Sequence, residues 1–214
     1  SVIGFYKIFD GTDGSGKSCL IQGWGNVAAS AAYYLAQRGY RVIGILDREH
    51  SVVNKEGFSF EEIRNMFVGK DGNRLISEKM VPSEEVLSFI WDWGPDVFVP
   101  AAASRIVTAD QLSRLVASGT ELISCGANVP FLEDQIIYGD TSRNFDNKLA
   151  IIPDFIANCG MARTFNYLME SSGLPNEIQI FEDVSSTITK ALQAIYTSSD
   201  KKTGLFERSI GLFV

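Results

Sequence analysis

The sequence predicts an α/β protein with a doubly wound, mainly parallel sheet and helices on both faces. Three observations carry this expectation. An apolar run at residues 19–22 leads into glycines at 23 and 25, then a helical pattern to Gly39, then a second apolar run that stops at Asp47. Further short apolar runs alternate with helical segments along the chain, the order that crossover connections produce. The runs show little alternation of polar and apolar residues, as expected of strands covered on both faces.

The elements follow in order. Residues 2–9 read as an N-terminal helix and 11–18 as a glycine-rich turn before the first strand, 19–22. In Gly23-Trp24-Gly25-Asn26-Val27-Ala28, Gly23 permits a tight turn, Gly25 lets backbone approach a pyrophosphate, and a small residue at 28 allows close helix–strand packing. Val27, Ala28, Ala31, Ala32, Leu35 and Ala36 recur at helical spacing, and Gly39 suits a left-handed helix end. Residues 41–46 form the next strand. Asp47 follows about 20 residues beyond Gly25, the separation expected of a carboxylate that binds a ribose.

A short strand is expected near 51–54. A helix from Ser59 to about 67 should carry a capping box with Glu62, and Ser83 should open a second capped helix ending near residues 93–95. Residues 96–100 are a buried strand running into Ala101-Ala102-Ala103; these alanines suit either a flat cofactor lying over the strand end or close helix–sheet packing. After a helix at 109–118 come a strand at 122–125, another at 149–152 and a helix to about 170, with C-terminal helices beyond and a polar loop at 198–203. Asn128 and Asn158 each lie just past a strand's carboxyl end, where open α/β sheets bind ligands, and an amide can match a nicotinamide carboxamide. Each also suits a plain turn.

A second phosphate motif competes. Gly11-Thr12-Asp13-Gly14-Ser15-Gly16-Lys17-Ser18 satisfies the P-loop pattern and suggests a phosphotransferase. Such a loop needs a helix starting at Lys17, which would place Gly23 and Gly25 in its interior at about 1 kcal/mol each. A surface turn is the cheaper arrangement.

Composition narrows the function classes. With 214 residues and 45% hydrophobic content the chain can form one domain with a substantial core. A formal net charge of −7 disfavours nucleic acid and anionic membrane as partners. No apolar run is long enough to span a bilayer and no secretory leader is evident, so the expected location is the cytoplasm. Cys19, Cys125 and Cys159 lack metal-ligand spacing and read as reduced packing residues, and no metal site is expected. His50, the one histidine, reads as a solvated loop residue. Hydrolase triads are correspondingly disfavoured.

Four ordered blocks give the chain a family resemblance: Ile21 to Ala28, Val99-Pro100-Ala101-Ala102, Gly126-Ala127-Asn128-Val129-Pro130, and Ile152 to Gly160. It resembles the Rossmann-like cofactor-binding domain of the glutamate/leucine/phenylalanine/valine dehydrogenases over residues 19–165. The resemblance implies that Gly23, Gly25, Asn26 and Val27 hold the pyrophosphate, Asp47 the ribose hydroxyls, Ala101 and Ala102 the face of the dinucleotide, and Asn128 and Asn158 the nicotinamide end. It also implies reversible oxidative deamination of an L-amino acid, glutamate first, by an oligomeric enzyme, expected to be homomeric.

In that family the substrate-binding and acid–base residues belong to a preceding domain, which nothing in residues 1–18 resembles. No catalytic residue is therefore assigned here. The expectation is an excised domain: an N-terminal helix and turn over 1–18 and a dinucleotide-binding unit over 19–214, which binds cofactor and turns nothing over. Asp47 favours NAD because its charge repels a 2′-phosphate, while Arg48 beside it leaves NADP open. Met161 replaces a glycine usual in the family, and Arg163 and Phe165 fall near its substrate side-chain pocket. Arg163 is either a partner for a substrate carboxylate or a solvated helix residue. A non-catalytic nucleotide-binding module remains a third reading.

Overall fold

The computed structural model describes residues 1–171 and 176–214. The order begins with α1 (Val2–Phe9), β1 (Ser18–Gln22), α2 (Asn26–Gln37), β2 (Arg41–Leu46), β3 (His50–Phe58), α3 (Phe60–Val68), β4 (Val81–Pro82) and α4 (Ser83–Leu87). A 3-10 turn (Ile90–Asp92) precedes β5 (Val97–Pro100), α5 (Ala109–Ala117), β6 (Leu122–Ser124), α6 (Asp140–Asp146) and β7 (Ala150–Ile152). Four helices complete the described fold: α7 (Asp154–Ala157), α8 (Gly160–Glu170), α9 (Glu177–Ser198) and α10 (Leu205–Phe213).

Seven strands form one sheet in the order β4-β3-β2-β1-β5-β6-β7. The five from β2 to β7 in that order run parallel, whereas β3 and β4 are antiparallel additions at one edge. The chain leaves β1 toward β2 on one side and returns to β5 on the other. The gap between β1 and β5 is therefore the point where the winding reverses, and ligands of open α/β sheets bind outside the strand ends there.

The strands lack polar–apolar alternation because their neighbouring residues enter two different cores. Cys19, Ile21, Val97, Val99, Leu122 and Ile152 pack in one cluster with α1, α2 and α9. Leu20, Phe98, Ile123 and Ile151 pack in the other, with Trp91, α5 and Phe206 of α10. Residues of both parities are thus apolar, as a period of two requires when both faces are covered. On α2 the buried stripe is Ala28, Ala29, Ala32, Leu35 and Ala36, while Val27 is exposed. Gly39 has φ +83°, consistent with its predicted role at the helix end.

The capping box of α3 forms as expected: Glu62 N–H donates to Ser59 Oγ (3.2 Å) and Ser59 N–H to Glu62 Oε2 (2.8 Å). Two expectations need correction. The strand foreseen at 51–54 runs nine residues from His50, since it pairs antiparallel along β2 from Leu46 opposite Ser51 to Val42 opposite Phe58, with an irregularity between Val42 and Gly44 that takes up extra residues of β3. His50 is accordingly an exposed strand residue rather than a loop residue. Ser83 does not cap a helix reaching residue 93. Its hydroxyl donates instead to the Asp47 carbonyl (2.7 Å) and pairs with Ser51 Oγ (2.7 Å), and α4 ends after five residues.

Candidate dinucleotide site

Backbone hydrogen bonds lace the carboxyl ends of five strands into a row. Gly23 N–H donates to Leu46 O (2.6 Å), Ala101 N–H to Gln22 O (2.8 Å), Gly126 N–H to Pro100 O (2.9 Å) and Cys125 N–H to Ile152 O (3.1 Å). This row is the floor on which the predicted residues stand. It brings the glycine turn, the 101–103 segment, the 126–130 turn and the start of α7 side by side.

Gly23 has φ +101°, and a Cβ there would lie 2.7 Å from Ala102 Cα and 2.9 Å from the Ala101 carbonyl oxygen. Both a strained conformation and contact with rigid backbone require glycine. Gly25 differs: its φ is −66° as the N-cap of α2, and a Cβ would meet nothing nearer than Asn73 Oδ1 at 3.8 Å. The fold does not need glycine at 25. Open space beside unpaired helix N–H groups is what a pyrophosphate requires. Asn26 and Val27, the first residues of α2, are exposed at this end.

At the β2 end, Asp47 is held by its own backbone and one carboxylate oxygen. Ser83 donates to its carbonyl, and Leu75 N–H donates to Oδ2 at 3.2 Å. Oδ1 accepts no hydrogen bond among the described residues. On the other side of the turn, Ala101 is 8% exposed, and a Cβ on Gly126 would come within 2.8 Å of Ala101 Cβ and 3.3 Å of Val27 Cγ1. Close packing therefore explains Ala101. Ala102 is exposed.

Asn128 and Asn158 are brought together from 30 residues apart, Asn158 Nδ2 donating to Asn128 Oδ1 at 2.9 Å. Sequence reasoning missed Asp154 as the residue that orients this pair. Its Oδ2 accepts from Val129 N–H (2.8 Å) and its Oδ1 from Phe155 N–H (3.0 Å), tying the 126–130 turn to α7. Among the described residues Val129 is one of two non-glycine residues with positive φ (45°), and the other, Arg105 (φ 58°), donates its N–H to Val129 O at 2.8 Å. Strain of this kind concentrates at functional turns. The available sequence signal was an acid directly after a strand-ending proline. Gln22, 8% exposed at the end of β1, leaves its buried Oε1 without a partner. A glycine cradle a Cβ would fill, open helix N–H groups, a free carboxylate oxygen, an amide pair and an orphaned acceptor together fit a dinucleotide.

The P-loop reading does not survive the fold. Residues 18–22 are strand, not helix, and Lys17 and Ser18 lie at the opposite, amino-terminal end of β1. Lys17 Nζ binds Glu121 (2.7 and 2.8 Å) and Asp96 (3.4 Å), while Ser18 gives its N–H and hydroxyl to Asp96 Oδ2 (2.6 and 2.7 Å). Burial raises the Asp96 carboxyl, but the Ser18 hydroxyl and amide and Lys17 outweigh it and leave it below its ordinary value. The motif's own phosphate-binding side chains, Lys17 and Ser18, are thus both engaged by Asp96 and Glu121.

Residues 2–207 match the model of the Glutamate/Leucine/Phenylalanine/Valine dehydrogenase family. The chain belongs to that family. The match takes in α1 and most of the C-terminal helices, beyond the 19–165 span of the four sequence blocks. Among curated relatives, the NADP(+)-dependent glutamate dehydrogenase of Pyrobaculum calidifontis is 30% identical over 68% of this chain and 33% of its own length. The NAD-specific glutamate dehydrogenase A of Halobacterium salinarum is 24% identical over 82% and 38%. A solved hetero-hexameric glutamate dehydrogenase from Thermus thermophilus superposes with TM-score 0.71 at 17% identity, covering 98% of this chain and 49% of that one. The chain thus spans about a third of the curated relatives and half of the solved one. The Rossmann-like architecture is shared with this dehydrogenase family.

Where the family's substrate side-chain pocket was expected, Arg163 is committed elsewhere. Its Nε and Nη2 bind Asp183 of α9 at 2.5 and 2.8 Å, so this part-exposed helix residue has its charge paired within the chain. Phe165 and Met161 are exposed on α8. Cys19 and Cys125 are buried and Cys159 half-buried, all three unpaired, and burial raises each thiol. No described helix is long and apolar enough to cross a membrane, and the described residues form no metal-binding cluster.

Proposed function

We propose that this chain is the NAD-binding part of an amino-acid dehydrogenase that performs reversible oxidative deamination, with L-glutamate as first candidate substrate. The supporting observation is the row of strand ends, in which a glycine turn required by the fold stands beside open helix N–H groups and a half-free carboxylate. Bound nicotinamide cofactor supplies the hydride acceptor. Gly23, Gly25, Asn26 and Val27 hold its pyrophosphate, and Asp47 takes the ribose hydroxyls through Oδ1. Gly126 and Ala101 pack behind Ala102 to give a flat wall, and the Asn128–Asn158 amide pair orients the carboxamide. Asp154 positions that pair without touching the ligand.

The substrate-binding and acid–base groups come from outside this chain, in a cytoplasmic homo-oligomer, so the chain alone binds cofactor without turnover. Asp47 favours NAD over NADP, since burying a 2′-phosphate against a carboxylate costs repulsion. Titration of NADH, followed by its fluorescence, tests the reading. Asp47→Ala should weaken NADH about tenfold, the loss of one charge-assisted hydrogen bond, and should narrow the gap to NADPH. An NADH affinity unchanged by Asp47→Ala, or absent in the unaltered chain, would overturn it.

A further inference from the structure

We propose that Lys70, in the segment between α3 and β4, supplies the positive charge that meets the cofactor's pyrophosphate. This rests on the NAD-binding reading and adds a residue that the glycine turn itself does not contain. Residues 22–29 read Gln-Gly-Trp-Gly-Asn-Val-Ala-Ala, without a single charged side chain. Backbone N–H groups and the helix dipole offer only a partial charge of about +0.5, against two negative charges on a pyrophosphate. The chain around them carries a formal −7.

Lys70 Nζ lies 2.7 Å from Asn26 Oδ1, the side chain of the first residue of α2. It makes no ion pair among the described residues. Its partner is a neutral amide at the mouth of the helix, so the ammonium charge is uncompensated where an anion is expected. A phosphate oxygen in place of that amide would form a charge-assisted bond, roughly twice as strong as the neutral one.

The segment carrying Lys70 is anchored on both sides of the cleft. Arg74 N–H closes a turn onto Asp71 O (2.9 Å), and Leu75 N–H holds Asp47 Oδ2 (3.2 Å). Asn73 Oδ1 is 3.8 Å from where a Gly25 Cβ would stand. Residues 70–75 therefore bridge the helix start that takes the pyrophosphate and the carboxylate that takes the ribose. Lys70 is held over the phosphates by the same contacts that orient Asp47.

Calorimetric titration of the full chain with ADP, adenosine, NADH and NADPH, at about 50 and about 200 mM salt, separates the outcomes. Lys70→Ala and Lys70→Gln should each weaken ADP and NADH about tenfold, leave adenosine unchanged and flatten the salt dependence. Lys70→Arg should restore affinity to within about threefold, since it keeps the charge. Unchanged ADP and NADH affinity in both neutral variants would overturn the assignment, as would a loss confined to NADPH, which would put the charge on a 2′-phosphate. Failure of the unaltered chain to bind either NADH or ADP would instead remove the NAD-binding reading beneath it.

Discussion

Gly23→Ala and Gly25→Ala, two substitutions two residues apart in one turn, should fail for different reasons. At Gly23 the added methyl lands 2.7 Å from Ala102 Cα and 2.9 Å from the Ala101 carbonyl, at φ +101°. The conformational strain costs about 1–3 kcal/mol, and forcing apart packed backbone costs about 1–3 kcal/mol more. A total near 3–4 kcal/mol lowers the melting temperature by about 10 °C in a chain of this size. Because the displaced atoms are the joint between the β1 and β5 ends, NADH binding should fall with it. At Gly25 the methyl meets nothing nearer than 3.8 Å, so only helix-cap preference is lost, at most about 1 kcal/mol. Gly25→Ala should melt within about 3 °C of the unaltered chain yet lose NADH affinity, because the methyl fills the approach to the helix N–H groups. Thermal melts by circular dichroism and NADH titration on the same samples check both. A Gly23→Ala protein as stable as the original, or a Gly25→Ala protein that binds NADH normally, would refute the assignment of one glycine to the fold and the other to the ligand.

Two further outcomes follow from the electrostatics. Lys17→Ala should lower stability by about 1 kcal/mol, the scale of a partly exposed ion-pair network, while ATP with magnesium shows no binding before or after and NADH affinity is unchanged; ATP binding lost on substitution would revive the phosphotransferase. Glu62 is held at about 2 by its bond from Lys79 and then by the Ser59 N–H and hydroxyl. Its folded value lies below its unfolded one, so its contribution is complete above about pH 4.5 and disappears as pH falls toward 2. Glu62→Gln should therefore destabilise at pH 7 and match the unaltered chain near pH 2 in urea melts; an equal difference at both pH values would contradict this.

Local physics made much of the molecule legible in the sequence. The turn at 23–25, the helix ending before Gly39, the capping box at Ser59 and the strands at 19–22 and 41–46 all rest on rules that act within about four residues. Asp47, Asn128 and Asn158 could be nominated for a related reason: each follows an apolar run, and strand ends are where open sheets bind. What depended on distant partners was not legible. Ser83 has the residue type of a helix cap, but Ser51 and the Asp47 carbonyl, far off in sequence, claim its hydroxyl. The P-loop pattern matched residue for residue until Asp96 and Glu121 took up Lys17 and Ser18.

By itself the sequence determined where most segments coil or extend and that the turn at 23 needs glycine, because backbone sterics and apolar periodicity are properties of neighbouring residues. Only the tertiary structure decided which charged groups are spent and which are free. Arg163 is engaged by Asp183 and Lys17 by Glu121, whereas Lys70 reaches the start of α2 with no ion-pair partner among the described residues. Charge compensation is set by distance in space, and folding brings together groups that the chain order keeps apart.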